Sequence, residues 1–236
     1  MAHGHFQSFL LNLLREAQIN QNAFFLALPP GELDIIGEPN FWSAKDHVAH
    51  LTFWRQQLVL RLQAHLRQEP QPQSQDFEKV NPIVFEENRY RNWPDILSES
   101  DQVYANLITL IEQLEEEDLT VVDRLPWMLK GLALYISVMG NCYEHTMIHL
   151  GYYLSERHQG ERAVVVYEQW ADQIIKADVP DPLKGNILYN LACFYATHDQ
   201  LEKAPPALEE SFILTPELRE FATTDPDLVA LYPTQS

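Results

Sequence analysis

Basic residues are scarce in this chain relative to acidic ones. Its 236 residues include 16 Lys and Arg against 34 Asp and Glu, which gives a formal net charge of −18. A surface of that sign repels phosphate backbones and anionic lipid headgroups. We therefore expect no nucleic-acid partner and no membrane-surface partner.

Cysteine is also rare. The two cysteines, Cys142 and Cys193, are far apart and fit neither a disulfide framework nor a Cys-x-x-Cys pattern. A reducing cytoplasm is therefore the expected compartment. The first residues lack a basic stretch followed by an apolar core, so no signal peptide is predicted. The longest apolar stretch, residues 127–143, is interrupted by polar residues and favours a buried helix over a membrane span.

Glycine is sparse, with 8 residues, and no convincing alternation of apolar and polar residues indicates a strand. Apolar residues recur instead at helical spacing almost throughout. Since 46% of the residues are hydrophobic, the chain can form a packed core. The pattern predicts long helices over residues 6–28, 44–67, 94–114 and 132–157, with a shorter helical piece over 81–92. Four long helices joined by medium-length loops favour an all-α fold with a four-helix bundle over residues 1–159.

Local signals support two of these helix ends. Pro29, Pro30 and Gly31 should stop the first helix. Ser43 should cap the second, with Asp46 favourably placed at the positive end of the helix dipole. The acidic residues 115–118 should form the solvated end of the third helix.

The tail, residues 160–236, has a different pattern. Its stretch from residue 188 to 216 resembles a tetratricopeptide repeat, a unit of about 34 residues in two helices. Asp199 stands where a small residue is usual at the turn. Because proline is tolerated only in a first helical turn, Pro205 and Pro206 predict a helix that starts near Ala204. Such a tail can dock a partner or a second subunit, or simply cover an apolar edge of the bundle.

Two histidines four residues apart, His145 and His149, lie on one face of the predicted fourth helix. Together they can provide two ligands to one metal ion, and a third is needed from another helix. His50 is the best candidate, and Asp46, one turn before it, can hold its other ring nitrogen by a hydrogen bond. His47 is a rival third ligand that points about 60° away from His50 on the helical wheel.

The alternative interpretation of these histidines is that they are hydrogen-bonded core residues. The segment is not His-Glu-x-x-His, since Glu144 precedes the first histidine, and this excludes the zinc-protease motif. Cys142, one turn before His145, fits a small buried hydrophobe better than a ligand. The five tryptophans are typical of core or pocket walls.

These motifs resemble those of the DinB-like superfamily of four-helix-bundle metalloproteins. The second helix begins with Phe-Trp-Ser-Ala-Lys-Asp-His-Val-Ala-His-Leu, residues 41–51, and the fourth contains Gly-Asn-Cys-Tyr-Glu-His-Thr-Met-Ile-His-Leu, residues 140–150. The segments Asn-Pro-Ile-Val-Phe-Glu-Glu-Asn and Trp-Pro-Asp-Ile-Leu between them are similar to the branch that contains ClbS and DfsB. The likeness spans residues 5–158, and most family members lack a repeat-like tail.

The resemblance implies a three-histidine metal site at His50, His145 and His149. It further implies an open site for a divalent ion such as nickel, zinc or iron(II), and chemistry on a small electrophilic molecule by hydrolysis or thiol transfer. Asp46, Glu144 and Tyr143 are the candidate acid–base residues. A homodimer is also expected from the family. Whether the site is catalytic or only holds an ion is left open by the sequence, and a non-catalytic metal-binding or interaction protein is the alternative.

Overall fold

The structure is a computed structural model that describes residues 4–231. Within that range the chain is all-helical, as predicted, and an isolated bridge between Glu38 and Phe41 is its one strand-like contact. The chain divides into two compact units, Met1–His149 and Leu150–Ser236, with the boundary inside one helix. None of the described helices is both long and apolar enough to cross a bilayer.

The described part of the first unit, from residue 4 on, contains six α-helices and the start of a seventh. They are α1 (His5–Leu26), α2 (Ala44–Leu66), α3 (Phe77–Asn88), α4 (Trp93–Glu112), α5 (Glu116–Thr120), α6 (Leu134–Met139) and α7 (His145–Glu156). Helix α2 packs against α3 and α4, and α1 packs against α4. The buried apolar side chains of these helices form one core, which includes Leu10, Leu14, Leu51, Leu107 and Ile111. The four-helix arrangement itself stays a prediction.

The start of α2 follows the sequence prediction closely. Ser43 Oγ accepts the backbone N–H of Asp46, and the Asp46 carboxylate accepts the backbone N–H of Ser43 at 2.8 Å, which completes a capping box. The backbone of Gly37 lies against the capping box. A Cβ atom at this position would collide with the Asp46 carboxylate. A glycine is therefore needed for the chain to approach the cap.

The prediction for the acidic segment 115–118 needs a correction. Most of it belongs to the short helix α5 rather than to a solvated end, and Glu116 has a structural role. Its carboxylate accepts the backbone N–H groups of Phe6 and Gln7, at 3.2 and 2.9 Å. Glu116 thus caps the start of α1, an interaction between residues about 110 positions apart that local sequence patterns do not reveal.

The predicted fourth helix, 132–157, is interrupted. A π-helical segment, Gly140–Glu144, separates α6 from α7 and packs against α1 and α2. Val138 and Cys142 are fully buried, as the predicted core-facing stripe requires. Tyr152, which we expected on the same stripe, is 49% exposed. That expectation was wrong, because the buried part of the stripe ends before Tyr152.

The second unit contains α8 (Gly160–Ile175), α9 (Asp181–Thr197), α10 (Ala204–Leu214) and α11 (Leu218–Ala222) after the end of α7. Helix α9 packs against α8 and α10. Helix α10 begins at Ala204 with its prolines in the first turn, as predicted. Asp199 has a φ of 58°, a left-handed conformation that aspartate tolerates better than most residues. The assignment of this unit as a tetratricopeptide repeat stays a prediction.

Candidate metal centre

Three histidines of the first unit converge. His50 lies on α2, and His145 and His149 lie one turn apart on α7. The Nε2 atom of His145 is 3.1 Å from Nε2 of His50 and 3.1 Å from Nε2 of His149. Each of the three offers a ligand atom, and these atoms all lie within 4.8 Å of one another. The group matches the three residues expected from the sequence.

Local structure explains how the rings meet. The π-helical segment that precedes His145 packs against α2, and Asn141 in that segment donates its side-chain N–H to the backbone carbonyl of Trp54 at 3.0 Å. Trp54 is one turn beyond His50, and Asn141 is four residues before His145. This bond therefore fixes the two chain segments beside the histidines.

The spacing of the ring nitrogens suits a metal ion. Two imidazole nitrogens about 2.0–2.1 Å from one ion lie about 2.8–3.4 Å apart for coordination angles between octahedral and tetrahedral values. The two Nε2 distances of 3.1 Å fall in that range. Three histidines leave further positions for water or substrate, as in reactive rather than structural sites. The donor set therefore fits a divalent transition metal.

All three rings are neutral near pH 7. Burial, aided by neighbouring cations, lowers the pKa of His50 to about 3 and that of His145 to about 4. Burial also holds the pKa of His149 well below its usual range. A neutral imidazole has a lone pair for a metal, whereas a protonated one has none. The rings are thus in the state that a metal ligand needs.

A buried cation accompanies the cluster. Arg55 on α2 has no exposed surface, and its Nη2 donates to Gln21 Oε1 at 2.7 Å and to Thr146 Oγ1 at 2.6 Å. Its guanidinium lies over the Tyr104 ring, 4.2 Å from the centroid. Within residues 4–231 no carboxylate pairs with it, and its Nε and Nη1 atoms have no hydrogen-bond partner. Its charge contributes to the lowered pKa values of all three histidines.

His47, the rival third ligand, has a different position. It is outside the converging group, and its Nδ1 lies 2.8 Å from Nδ1 of His149. A single proton can be shared between these two atoms, so His47 can accept from His149 while Nε2 of His149 faces the cluster. Such a partner orients a metal-bound imidazole. The geometry thus favours His50 as the third ligand and places His47 behind His149.

An indole ring covers the cluster. The Trp42 ring centroid lies 5.4, 5.1 and 5.8 Å from those of His47, His50 and His149, and it stacks on His149 at 22°. On another side it stacks on Phe85 at 6.1 Å. Trp42 therefore packs between the histidine cluster and Phe85.

Asp46 is one helical turn before His50, but its carboxylate forms its hydrogen bonds with Ser43. Its Oδ2 accepts from the backbone N–H and the hydroxyl of Ser43, at 2.8 and 2.6 Å. Its Oδ1 and the Nδ1 of His50 are both buried and have no hydrogen-bond partner among the described residues. The expected bond from His50 to Asp46 is not formed in this structure, although both of its atoms are available.

The other two candidate acid–base residues flank the cluster in sequence. Tyr143 is fully buried, and burial together with the carboxylates of Glu16 and Glu144 raises its pKa. Its hydroxyl therefore keeps its proton at neutral pH. Glu144 contributes no ligand atom to the three-histidine group. Burial raises the pKa of Cys142 to about 12, so this cysteine is a buried thiol, in accord with its interpretation as a small hydrophobe.

A comparison with family profiles now bears on the site. The profile of the DinB superfamily matches residues 13–153. The chain belongs to the DinB superfamily. Comparison with curated proteins and with solved structures gave no match. The DinB match covers more than half of the chain and contains His50, His145 and His149, whereas residues 154–236 lie outside it.

Sequence patterns did not reveal three features of this DinB-superfamily site. From the sequence His47 is a rival ligand, and its spacing of three residues from His50 is the signal that both can serve one site. Trp42 has no signal beyond that of a core or wall residue. Arg55 has none either, because nothing local shows that an arginine within an amphipathic helix lacks a carboxylate partner in the fold.

A second group of candidate ligands lies in the other unit, at Cys193, Asp225 and Asp227. Burial and the two aspartates raise the pKa of the Cys193 thiol. Tyr189 donates its hydroxyl to Asp225 Oδ2 at 2.7 Å. Because the thiol is protonated and Asp225 already accepts this hydrogen bond, we assign a packing role to the group.

Proposed function

We propose that this protein is a metal-dependent enzyme that acts on a small electrophilic molecule through His50, His145 and His149. The observation that supports the proposal is three neutral imidazoles at ligand spacing, two of them buried and His145 partly buried, with the Nε2 atoms of His50 and His149 each 3.1 Å from that of His145. A bound divalent ion would lower the pKa of a water molecule or of a thiol, which provides for hydrolysis or for thiol transfer.

The surrounding residues have roles that fit such chemistry. Arg55 adds a fixed positive charge beside the cluster, and this charge favours an anionic ligand such as a hydroxide or a thiolate. Asp46 is the nearest candidate for fixing His50 through its second ring nitrogen, as the sequence suggested. In our proposal the metal is nickel, zinc or iron(II), since all three suit a nitrogen-rich site.

The first test is metal content. Protein purified without an affinity tag should contain about one divalent ion per chain by elemental analysis, a stoichiometry that follows from one three-ligand site. The double variant His145→Ala/His149→Ala should lose it, whereas His65→Ala on the same helix α2 should retain it. Unchanged metal in the double variant would overturn the proposal.

The second test measures catalytic activity. The metal-loaded protein is incubated with an electrophilic dye and a low-molecular-weight thiol, and separately with the dye in water alone. Metal-dependent adduct formation supports thiol transfer, and metal-dependent loss of the dye without a thiol supports hydrolysis. If the loaded protein accelerates neither reaction, the alternative of a non-catalytic metal-binding protein is favoured.

A docking role of the tail is the second candidate function. It is supported by large apolar side chains of the second unit that are strongly exposed, namely Ile213 at 76%, Val229 at 63% and Phe221 at 59%. Such side chains suit a partner or a second copy of the chain.

In our proposal the full-length protein is a homodimer, which light scattering would detect. Ile213→Glu should shift it to monomer, whereas the exposed polar control Glu210→Gln should not. A monomeric wild type would contradict the dimer.

A further inference from the structure

A cavity of about 460 Å³ lies in the first unit on the same helix face as His50. Residues 54, 57, 58 and 61 of α2 form one wall, at the spacing of a single helix face that continues from His50. Ser137 and Asn141, eight and four residues before His145, form another. Its volume is within the range of pockets for small molecules.

The cavity and the three-histidine cluster share a neighbour. Trp54 lines the cavity, and its ring centroid lies 6.4 Å from that of His50. Asn141 also lines the cavity, and its bond to the Trp54 carbonyl joins the two walls. The end of the cavity at Trp54 therefore lies one helical turn from His50, whereas Arg61 lies toward its other end.

The lining has one charged residue, Arg61. Within the described part of the chain its guanidinium has no ion pair, although the chain has twice as many acidic residues as basic ones. The remaining lining residues are neutral. Arginine binds carboxylates through two parallel hydrogen bonds, so an anionic group is the natural partner here.

The rest of the cavity wall includes an apolar part. The rings of Trp54 and Trp127, with Leu58 and Met128, provide an apolar surface.

We propose that this cavity binds a small carboxylate that has an apolar body, with the carboxylate on Arg61. The inference rests on the proposed function, since it names the class of molecule that would be presented to the metal site. Arg61 would act as a binding residue, three turns of α2 from His50.

The experiment is calorimetric titration of the full-length, zinc-loaded protein with two matched probes, N-acetyl-L-phenylalanine and N-acetyl-L-phenylalaninamide. The first probe has a carboxylate where the second has a neutral amide. The acid should bind about tenfold more tightly, the factor expected from hydrogen bonds to one charged group. Arg61→Met should lower the affinity for the acid to that for the amide. Arg67→Met, the same charge change in an exposed residue directly after α2, should leave the preference intact.

The outcomes separate this inference from the metal site. Zinc content of Arg61→Met should equal that of the wild type, which shows that the variant is folded and loaded. If neither probe binds, or if Arg61→Met keeps the preference for the acid, the inference is wrong. If only His50→Ala abolishes the preference, the acid binds the metal itself, and the inference fails while the proposed metal site stands.

Discussion

The Nδ1 atoms of His47 and His149 lie 2.8 Å apart, and this contact places one histidine directly behind another that faces the cluster. A histidine ligand usually donates its second N–H to a carboxylate or a carbonyl. Here an imidazole occupies that place. One proton can be shared between the two Nδ1 atoms, and when His47 accepts it from His149, the lone pair of His149 is on Nε2, the nitrogen that faces the cluster.

The first prediction concerns this pair. His47→Phe, which keeps a ring beside Trp42 but removes both nitrogens, should weaken metal binding by about 10–100-fold, as other losses of such partners do. His47→Gln, which retains an acceptor, should recover part of the affinity. The measurement is competition with a chelator of known affinity. Equal dissociation constants for wild type and His47→Phe would show that His47 has no positioning role.

The second prediction uses Trp42 as a reporter of binding. Its ring is within 6 Å of His47, His50 and His149, so nickel or cobalt bound at the cluster should quench its fluorescence in proportion to occupancy. Trp42→Phe should reduce the change, and the double variant Trp42→Phe/Trp54→Phe should remove most of it, because the Trp54 ring centroid is also only 6.4 Å from that of His50. Trp170→Phe in the second unit serves as the control and should retain it. A metal-dependent signal of full size in the double variant would place the ion elsewhere.

The third prediction concerns pH and the metal-free protein. In the folded state the pKa values of His50 and His145 are about 3 and about 4, below the ordinary 6.5. Between those values and 6.5 the unfolded state binds more protons than the folded state, so the free energy of unfolding decreases as the pH falls. Above 6.5 these groups contribute no pH dependence. Each histidine contributes a slope of about 1.4 kcal/mol per pH unit within its window.

Denaturant unfolding in the presence of a chelator, at pH 7.5, 5.5 and 4.5, tests this dependence. His50→Asn removes one titrating group and should give a shallower decrease between pH 6 and 4.5 than the wild type. Identical slopes for the two proteins would mean that His50 is not held neutral by the fold.

The fourth prediction separates the two effects of Arg55. Replacing it by Met removes a positive charge beside the cluster, so affinity for a divalent ion should increase several-fold. Binding of azide to the loaded protein should weaken, since an anion on the metal loses a nearby cation. Both constants follow from titration of the cobalt protein by absorbance. A parallel change of the two affinities would contradict an electrostatic role and indicate altered packing.

The fifth prediction concerns the support of the site. Gly37→Ala introduces a methyl group where the Asp46 carboxylate lies, so the capping box of α2 should open. Loss of a cap costs about 0.5–2 kcal/mol of unfolding free energy, which calorimetry detects as a lower Tm. Gly160→Ala, at a position with no atom within 4 Å of the added carbon, should be neutral or slightly stabilising. A Gly37→Ala protein as stable as Gly160→Ala would contradict the steric argument.

Several features of this protein are local and can be predicted from the sequence. The all-helical fold, the capping of α2 by Ser43, the start of α10 at Ala204 and the one-turn spacing of His145 and His149 follow from helical period, capping chemistry and the geometry of proline. Each of these features depends on residues within a few positions of one another, so the amino-acid sequence alone is enough to predict it.

The tertiary structure decided the remainder. The grouping of His50 with His145 and His149, the cap that Glu116 provides for α1, and the burial of Arg55 without a carboxylate all depend on residues far apart in the chain. The π turn before His145 likewise forms where that segment packs against α1 and α2. Helical spacing specifies which face of a helix a histidine occupies. Only tertiary packing specifies which residues of another helix contact that face, because the distance between ring nitrogens on two helices depends on the relative position of the helices.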